Sequence, residues 1–63
     1  MSVHREIEKF LRKTDMPASK FGRLAAGDPG LVRDLRNGRE VRPRLEARLK
    51  AFIAAEQAAG RGQ

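Results

Sequence analysis

The fold of this chain is decided by residues 18–38, which read ASKFGRLAAGDPGLVRDLRNG. Phe21, Leu24 and Ala25 repeat at the i, i+3, i+4 spacing of a buried helical face, which predicts a short helix. The tripeptide Gly27-Asp28-Pro29 then combines a glycine that tolerates positive φ, an aspartate that can cap and a proline suited to a first helical turn. One helix is therefore predicted to end, and another to begin, within three residues.

The second of these helices is predicted over residues 29–36. Val32 and Leu35 lie on its inward face, with Leu31 assisting them, and the dipeptide Asn37-Gly38 provides a stop that can adopt left-handed backbone angles. The pair is thus predicted to be two short helices joined by a tight turn.

Two longer amphipathic helices flank this pair. The first is predicted over residues 3–13 with Ser2 as its N-cap, and it ends before Pro17, which is placed in the first turn of the next helix. The last is predicted from Pro43 to about residue 59, followed by a flexible tail at 60–63. The expected core comprises Ile7, Phe10, Leu11, Phe21, Leu24, Val32, Leu35, Leu45, Leu49, Phe52 and Ile53. The fold class is therefore all-α, a small four- to five-helix domain spanning residues 1–59 with a central helix-turn-helix.

Size and composition argue against catalysis. A chain of 63 residues holds one small core and leaves little room for a buried enzyme cleft. It has no cysteine and only one histidine, His4, so a transition-metal site is not expected. Its carboxylates alternate with basic residues as on solvated helices, and no catalytic constellation is discernible. We expect a non-enzyme that needs no cofactor, no metal and no small-molecule substrate.

The charge of the chain indicates an anionic partner. The sequence contains 14 Lys and Arg against 8 Asp and Glu, for a net charge of +6. Seven basic and three acidic residues lie between Pro17 and Arg44, so four of the six net charges belong to that segment. Such a localised excess is typical of nucleic-acid binders, although a charge run is often only a solvated face. There is no apolar run of signal-peptide or membrane-span length, so we expect a cytoplasmic, nucleoid-associated protein with no membrane partner.

The stretches FGRLA at 21–25 and VRDLRNGR at 32–39 carry a resemblance to a known family. Together they resemble the helix-turn-helix of the lambda-repressor-like (Cro and XRE) DNA-binding domains, over about residues 16–55. That pattern has a small residue where Gly22 stands and apolar residues where Phe21, Ala25, Val32 and Leu35 stand. This sequence departs from the family pattern at the turn, where Ala26 occupies the position of the usual glycine and Gly27 follows one residue later.

The resemblance implies that the helix at 29–36 enters the major groove of duplex DNA. Arg33 is the first candidate for base readout, with phosphate contact equally weighted, and Arg36 is the second, with phosphate contact favoured. The full set of base-readout candidates is Gly30, Leu31, Arg33, Asp34 and Arg36. The phosphate candidates are Ser19, Lys20, Arg23, Asn37, Arg39, Arg42 and Arg44.

The function expected from the sequence is therefore sequence-specific binding of double-stranded DNA by a bacterial or phage transcription regulator. Because one small module binds weakly, we expect a homodimer on two half-sites, with the transcription machinery as a further partner. The alternative is a non-enzymatic adaptor whose arginines dock on an acidic protein, such as a polymerase subunit or a toxin.

Overall fold

The computed structural model describes residues 2–59, and this part of the chain is helical and contains no strand. In chain order its helices are α1 (Val3–Thr14), α2 (Ala18–Ala26), α3 (Leu31–Arg36) and α4 (Pro43–Ala58). The all-α prediction is confirmed, with four helices in the described range. The predicted tail at 60–63 lies outside the described residues.

Both ends of α1 are closed by local hydrogen bonds. The Ser2 hydroxyl accepts the backbone N–H of Arg5 at 3.3 Å, as the predicted N-cap requires. At the other end, Asp15 adopts left-handed backbone angles, with φ of 60°, and its N–H donates to the carbonyl of Leu11 at 2.8 Å. The chain therefore turns immediately after α1 and leads through Pro17, which is the N-cap of α2 and not its first helical residue.

The turn between α2 and α3 is longer than the sequence indicated, because α2 ends at Ala26 and α3 begins only at Leu31. Gly27 caps α2 with φ of 67°, and its N–H donates to the carbonyl of Arg23 at 2.9 Å. The Asp28 carboxylate accepts the N–H of Gly30 at 3.1 Å, while the Asp28 carbonyl accepts the N–H of Leu31 at 3.0 Å. Because residues 28–30 form this turn, α3 begins at Leu31 with Gly30 as its N-cap, and the predicted start at Pro29 was wrong.

A cluster of three phenylalanine rings joins α1, α2 and α4. The Phe21 centroid lies 5.7 Å from that of Phe10 and 5.4 Å from that of Phe52, and all three pairs are tilted or edge-on. Phe21 is fully buried. The remaining buried apolar side chains are those of Val3, Ile7, Phe10, Leu11, Ala25, Leu31, Val32, Leu35, Leu49 and Ile53.

Leu24 was predicted to lie in the core, and this prediction was wrong. Its side chain is 51% exposed, the only large apolar side chain of the described residues that faces solvent to this degree. The buried stripe of α2 consists of Phe21, Gly22 and Ala25, with Ala18 partly buried. The helix is thus rotated towards Gly22, which leaves Leu24 outside the stripe.

Gly22 is the point at which α2 touches the turn that leads into α3. The carbonyl of Gly22 accepts the N–H of Asp28 at 3.0 Å. A Cβ added to Gly22 would lie only 2.2 Å from the Asp28 carbonyl oxygen and 3.2 Å from the Leu31 Cβ. Because the nearest atom belongs to the backbone, the turn itself would have to move to admit any side chain.

We expect Gly22→Ala to destabilise the domain by about 2 kcal/mol or more, since the turn must shift and the core of α3 shifts with it. Helix propensity alone predicts the opposite sign, because alanine is favoured over glycine inside a helix by about 1 kcal/mol. Chemical denaturation followed by circular dichroism measures the difference.

The comparison variant is Gly27→Ala, where an added Cβ meets nothing within 4 Å and only the positive φ opposes it. It is expected to cost about 1 kcal/mol. A Gly22→Ala protein as stable as the parent would show that the close approach is unimportant.

Candidate nucleic-acid interface

A groove of about 380 Å³ opens between the beginning of α2 and the beginning of α3. Its lining comes from these two helices and from the turn that joins them, and comprises Ala18, Ser19, Pro29, Gly30, Arg33 and Arg36. The structure therefore brings together four of the predicted site residues: one hydroxyl, one glycine and two arginines.

Arg33 is exposed and lies over the start of α3. A Cβ added to Gly30 would be 3.3 Å from Nη2 of Arg33, so the absence of a side chain at Gly30 makes room for this guanidinium. Arg33 forms no ion pair with any residue in the described part of the chain. Its charge also helps to lower the pKa of Asp28, but its N–H groups are held by no carboxylate and can donate to a ligand in the groove.

Arg36 is held by a carboxylate of α1. Its Nε donates to Oε2 of Glu8 at 2.7 Å and its Nη2 donates to Oε1 at 2.9 Å, which is a bidentate pair. The hydrogen bond from Arg36 lowers the pKa of Glu8 to about 2, and a second hydrogen bond, from His4 at 2.9 Å, acts in the same direction. The same pairing raises the pKa of Arg36.

Arg39, a phosphate candidate, is also engaged within the protein. Its Nη1 donates to Oδ2 of Asp28 at 3.0 Å and to Oδ2 of Asp34 at 3.3 Å. The hydrogen bond from Arg39, with that from the Gly30 N–H, lowers the pKa of Asp28. Asp34, predicted to read bases, therefore points its carboxylate at Arg39, and Asp28 joins the turn to the segment after α3.

Leu31 was predicted to be available for base readout, and this prediction was wrong. Its side chain is 0% exposed and belongs to the core, so it cannot contact a base edge. The prediction placed it at the margin of the helix face, but its contact with Gly22 turns it inward. Gly30 and Arg33 remain on the outward side of α3.

The other phosphate candidates lie on three parts of the surface. Lys20 and Arg23 are exposed on α2, and Asn37 is the exposed C-cap of α3. Arg42 and Arg44, at the beginning of α4, line a second groove of about 330 Å³ together with Leu45 and Arg48.

Two functional candidates were missed at the level of sequence. Arg48 lies four residues after Arg44, so helical spacing was a signal that could have found it. Glu8 lies 28 residues from Arg36, and no local pattern connects the two.

The Glu8–Arg36 pair makes the free energy of unfolding depend on pH. Because folding lowers the pKa of Glu8 from 4.5 to about 2, the folded state binds protons less readily, and this contribution is present above pH 4.5 and lost as the pH falls towards 2. We expect Glu8→Gln to cost about 1 kcal/mol at pH 7, a value typical of a partly exposed pair, and almost nothing near pH 2.

Urea denaturation of both proteins at pH 7 and pH 2 measures the two differences. Glu6→Gln, which removes a carboxylate of α1 that makes no ion pair with Arg36, is the matched control and is expected to cost less at pH 7. A cost of Glu8→Gln that stays the same at both values of pH would contradict the assignment.

Within residues 2–59 no cluster of three or more His, Cys, Asp and Glu side chains is placed to hold a metal ion, and no helix is both long and apolar enough to cross a membrane. No protein-family model matches the chain, and no curated protein or solved structure matches it either.

Proposed function

We propose that this protein binds duplex DNA in a sequence-specific manner, as a transcription regulator whose α2, turn and α3 act as a helix-turn-helix. The observation that carries the proposal is the exposed guanidinium of Arg33, which lines the groove beside Gly30 and Ser19. Among the described residues Arg33 forms no ion pair, in contrast to Arg36 and Arg39, although the nearby carboxylate of Asp28 attracts it. Arginine is the side chain best suited to the O6 and N7 acceptors of guanine in the major groove.

The start of α3 suits close approach to DNA. Pro29 and Gly30 carry no long side chain, so the edge of a base pair can come near the backbone there. With six residues α3 is about 9 Å long, which is shorter than the width of the major groove. A helix of this length reaches only a few base pairs.

Other exposed basic side chains support the same partner. Lys20 and Arg23 are exposed on α2, the helix that contributes Ala18 and Ser19 to the groove, and Arg42, Arg44 and Arg48 form a second basic cluster at the start of α4. In the proposed complex these five side chains contact phosphates, which position the protein on the duplex without specifying a sequence.

A homodimer is part of the proposal. Because α3 alone reads so short a stretch, two copies on half-sites about one DNA turn apart would supply the remaining specificity. The transcription machinery and a nucleoid location follow from the proposed regulatory role.

For base readout, we expect Arg33→Ala to lower affinity for the preferred duplex about tenfold and to relax preference at one base pair. The preferred duplex is the one enriched from a random-sequence library by the full chain, and fluorescence anisotropy measures the affinities.

The control is Arg5→Ala, which removes the same charge from α1 on a different surface of the domain. It is expected to weaken binding slightly and equally for all sequences. Equal losses on preferred and random duplexes for Arg33→Ala would assign Arg33 to phosphate contact.

For phosphate contact, we test the triple variant Arg42→Ala, Arg44→Ala, Arg48→Ala. The negative slope of its log affinity against log salt is expected to become shallower by about 0.9 for each phosphate that is no longer neutralised. The triple variant Arg5→Ala, Lys9→Ala, Arg12→Ala changes the net charge equally and should leave most of the slope in place.

DNA binding would be rejected if the affinity of the parent protein for every duplex tested did not increase as the salt concentration is lowered. That result would favour the adaptor alternative, in which the same arginines dock on an acidic protein.

A further inference from the structure

The pairing of Arg36 with Glu8 leaves part of the guanidinium unused. Arg36 donates to Glu8 through Nε and one N–H of Nη2, while Nη1 donates to no residue in the described range. A guanidinium has five N–H donors in one plane, so the edge formed by Nη1 and the second N–H of Nη2 stays free. Arg36 lines the groove, and its side chain is 52% exposed.

We propose that Glu8 is a positioning residue, which grips one edge of Arg36 so that its other edge is presented to a guanine in the major groove. The inference rests on the proposed function, and it deepens that function by assigning Arg36 to base readout and by making an α1 residue a determinant of specificity. Two parallel hydrogen bonds from the free edge match the O6 and N7 acceptors of guanine.

The geometry favours positioning over simple neutralisation. A bidentate pair fixes the plane of the guanidinium, and fixing it before binding removes part of the rotamer entropy that an arginine otherwise loses on the DNA. The partner carboxylate sits on a different helix, so the direction of Arg36 is set by the packing of α1 against α3 and not by α3 alone. Glu8, with its pKa near 2, remains a carboxylate at physiological pH.

The competing view is that Glu8 merely occupies Arg36 and weakens its attraction to phosphate. The two views differ in the change that they predict for the ratio of preferred to random affinity. Under positioning, loss of Glu8 lowers the ratio of preferred to random affinity, while random affinity stays level or rises because a negative charge is gone. Under occupation, both affinities rise by the same factor.

The experiment compares the full chain, Glu8→Gln and Glu6→Gln on the enriched duplex and on a random duplex of equal length at one salt concentration. We expect Glu8→Gln to lower the preference ratio about tenfold. Glu6→Gln removes the same charge from the same helix and should keep the ratio of the parent. Circular dichroism at the assay temperature confirms that each protein is folded.

A second variant tests whether Glu8 acts through Arg36. Arg36→Lys keeps the charge but loses the planar fork, so it should lower the ratio to a similar extent. The double variant should then lose little more than either single one, because both remove the same interaction. Additive losses would show that Glu8 acts elsewhere.

The acceptor on DNA is tested with a modified base. Replacing guanine by 7-deazaguanine at the affected position removes N7, and it should weaken the parent but not Arg36→Lys. An unchanged ratio for Glu8→Gln, or no effect of 7-deazaguanine, overturns the inference while leaving DNA binding intact. If the parent enriches no duplex at all, the proposed function fails, and the inference fails with it.

Discussion

The close approach of α2 to the turn before α3 is the constraint on which the rest of this structure depends. Gly22 meets the Asp28 carbonyl at a distance that no Cβ permits, and the hydrogen bond from the Asp28 N–H to the Gly22 carbonyl fastens the same contact. This contact turns Leu31 into the core, rotates Leu24 out of it and places the beginnings of α2 and α3 side by side. The groove between them is therefore a consequence of backbone packing at a glycine.

Carboxylates decide how the arginines around α3 are used. Glu8 holds Arg36 from α1, and Asp28 and Asp34 hold Arg39 from the turn and from α3 itself. Arg33 forms no ion pair among the described residues, although Asp28 attracts it. These pairs are partly exposed, so each contributes modestly to stability. Their larger effect is geometric, because they restrict where two long side chains point. The arginines on and next to α3 thus differ: Arg36 and Arg39 are restrained by ion pairs, whereas Arg33 is not.

Much of the architecture was accessible from local patterns. The spacing of Val3, Ile7, Phe10 and Leu11, the cap at Ser2 and the proline at the start of α4 predicted two helices whose limits agree with the structure to within a residue or two. The groove was only partly predictable: Gly30 and Arg33 were identified from the inferred outward face of α3 and Ser19 from its place on α2, but Leu31 was misplaced. Glu8 was not identified from the sequence because its partner lies 28 residues away, and helical spacing does not predict contacts at that separation.

What the sequence determined by itself is the all-helical class with four or five helices, the apolar stripes that form most of the core, and a basic excess in the middle of the chain. These properties depend on neighbours within one or two helical turns, and side-chain spacing encodes them directly. Only the tertiary structure decided which way α2 rotates, where α3 begins and which arginines are bound to carboxylates. Those outcomes depend on contacts between helices, where a missing Cβ at Gly22 and a carboxylate at Glu8 act on segments distant in the chain.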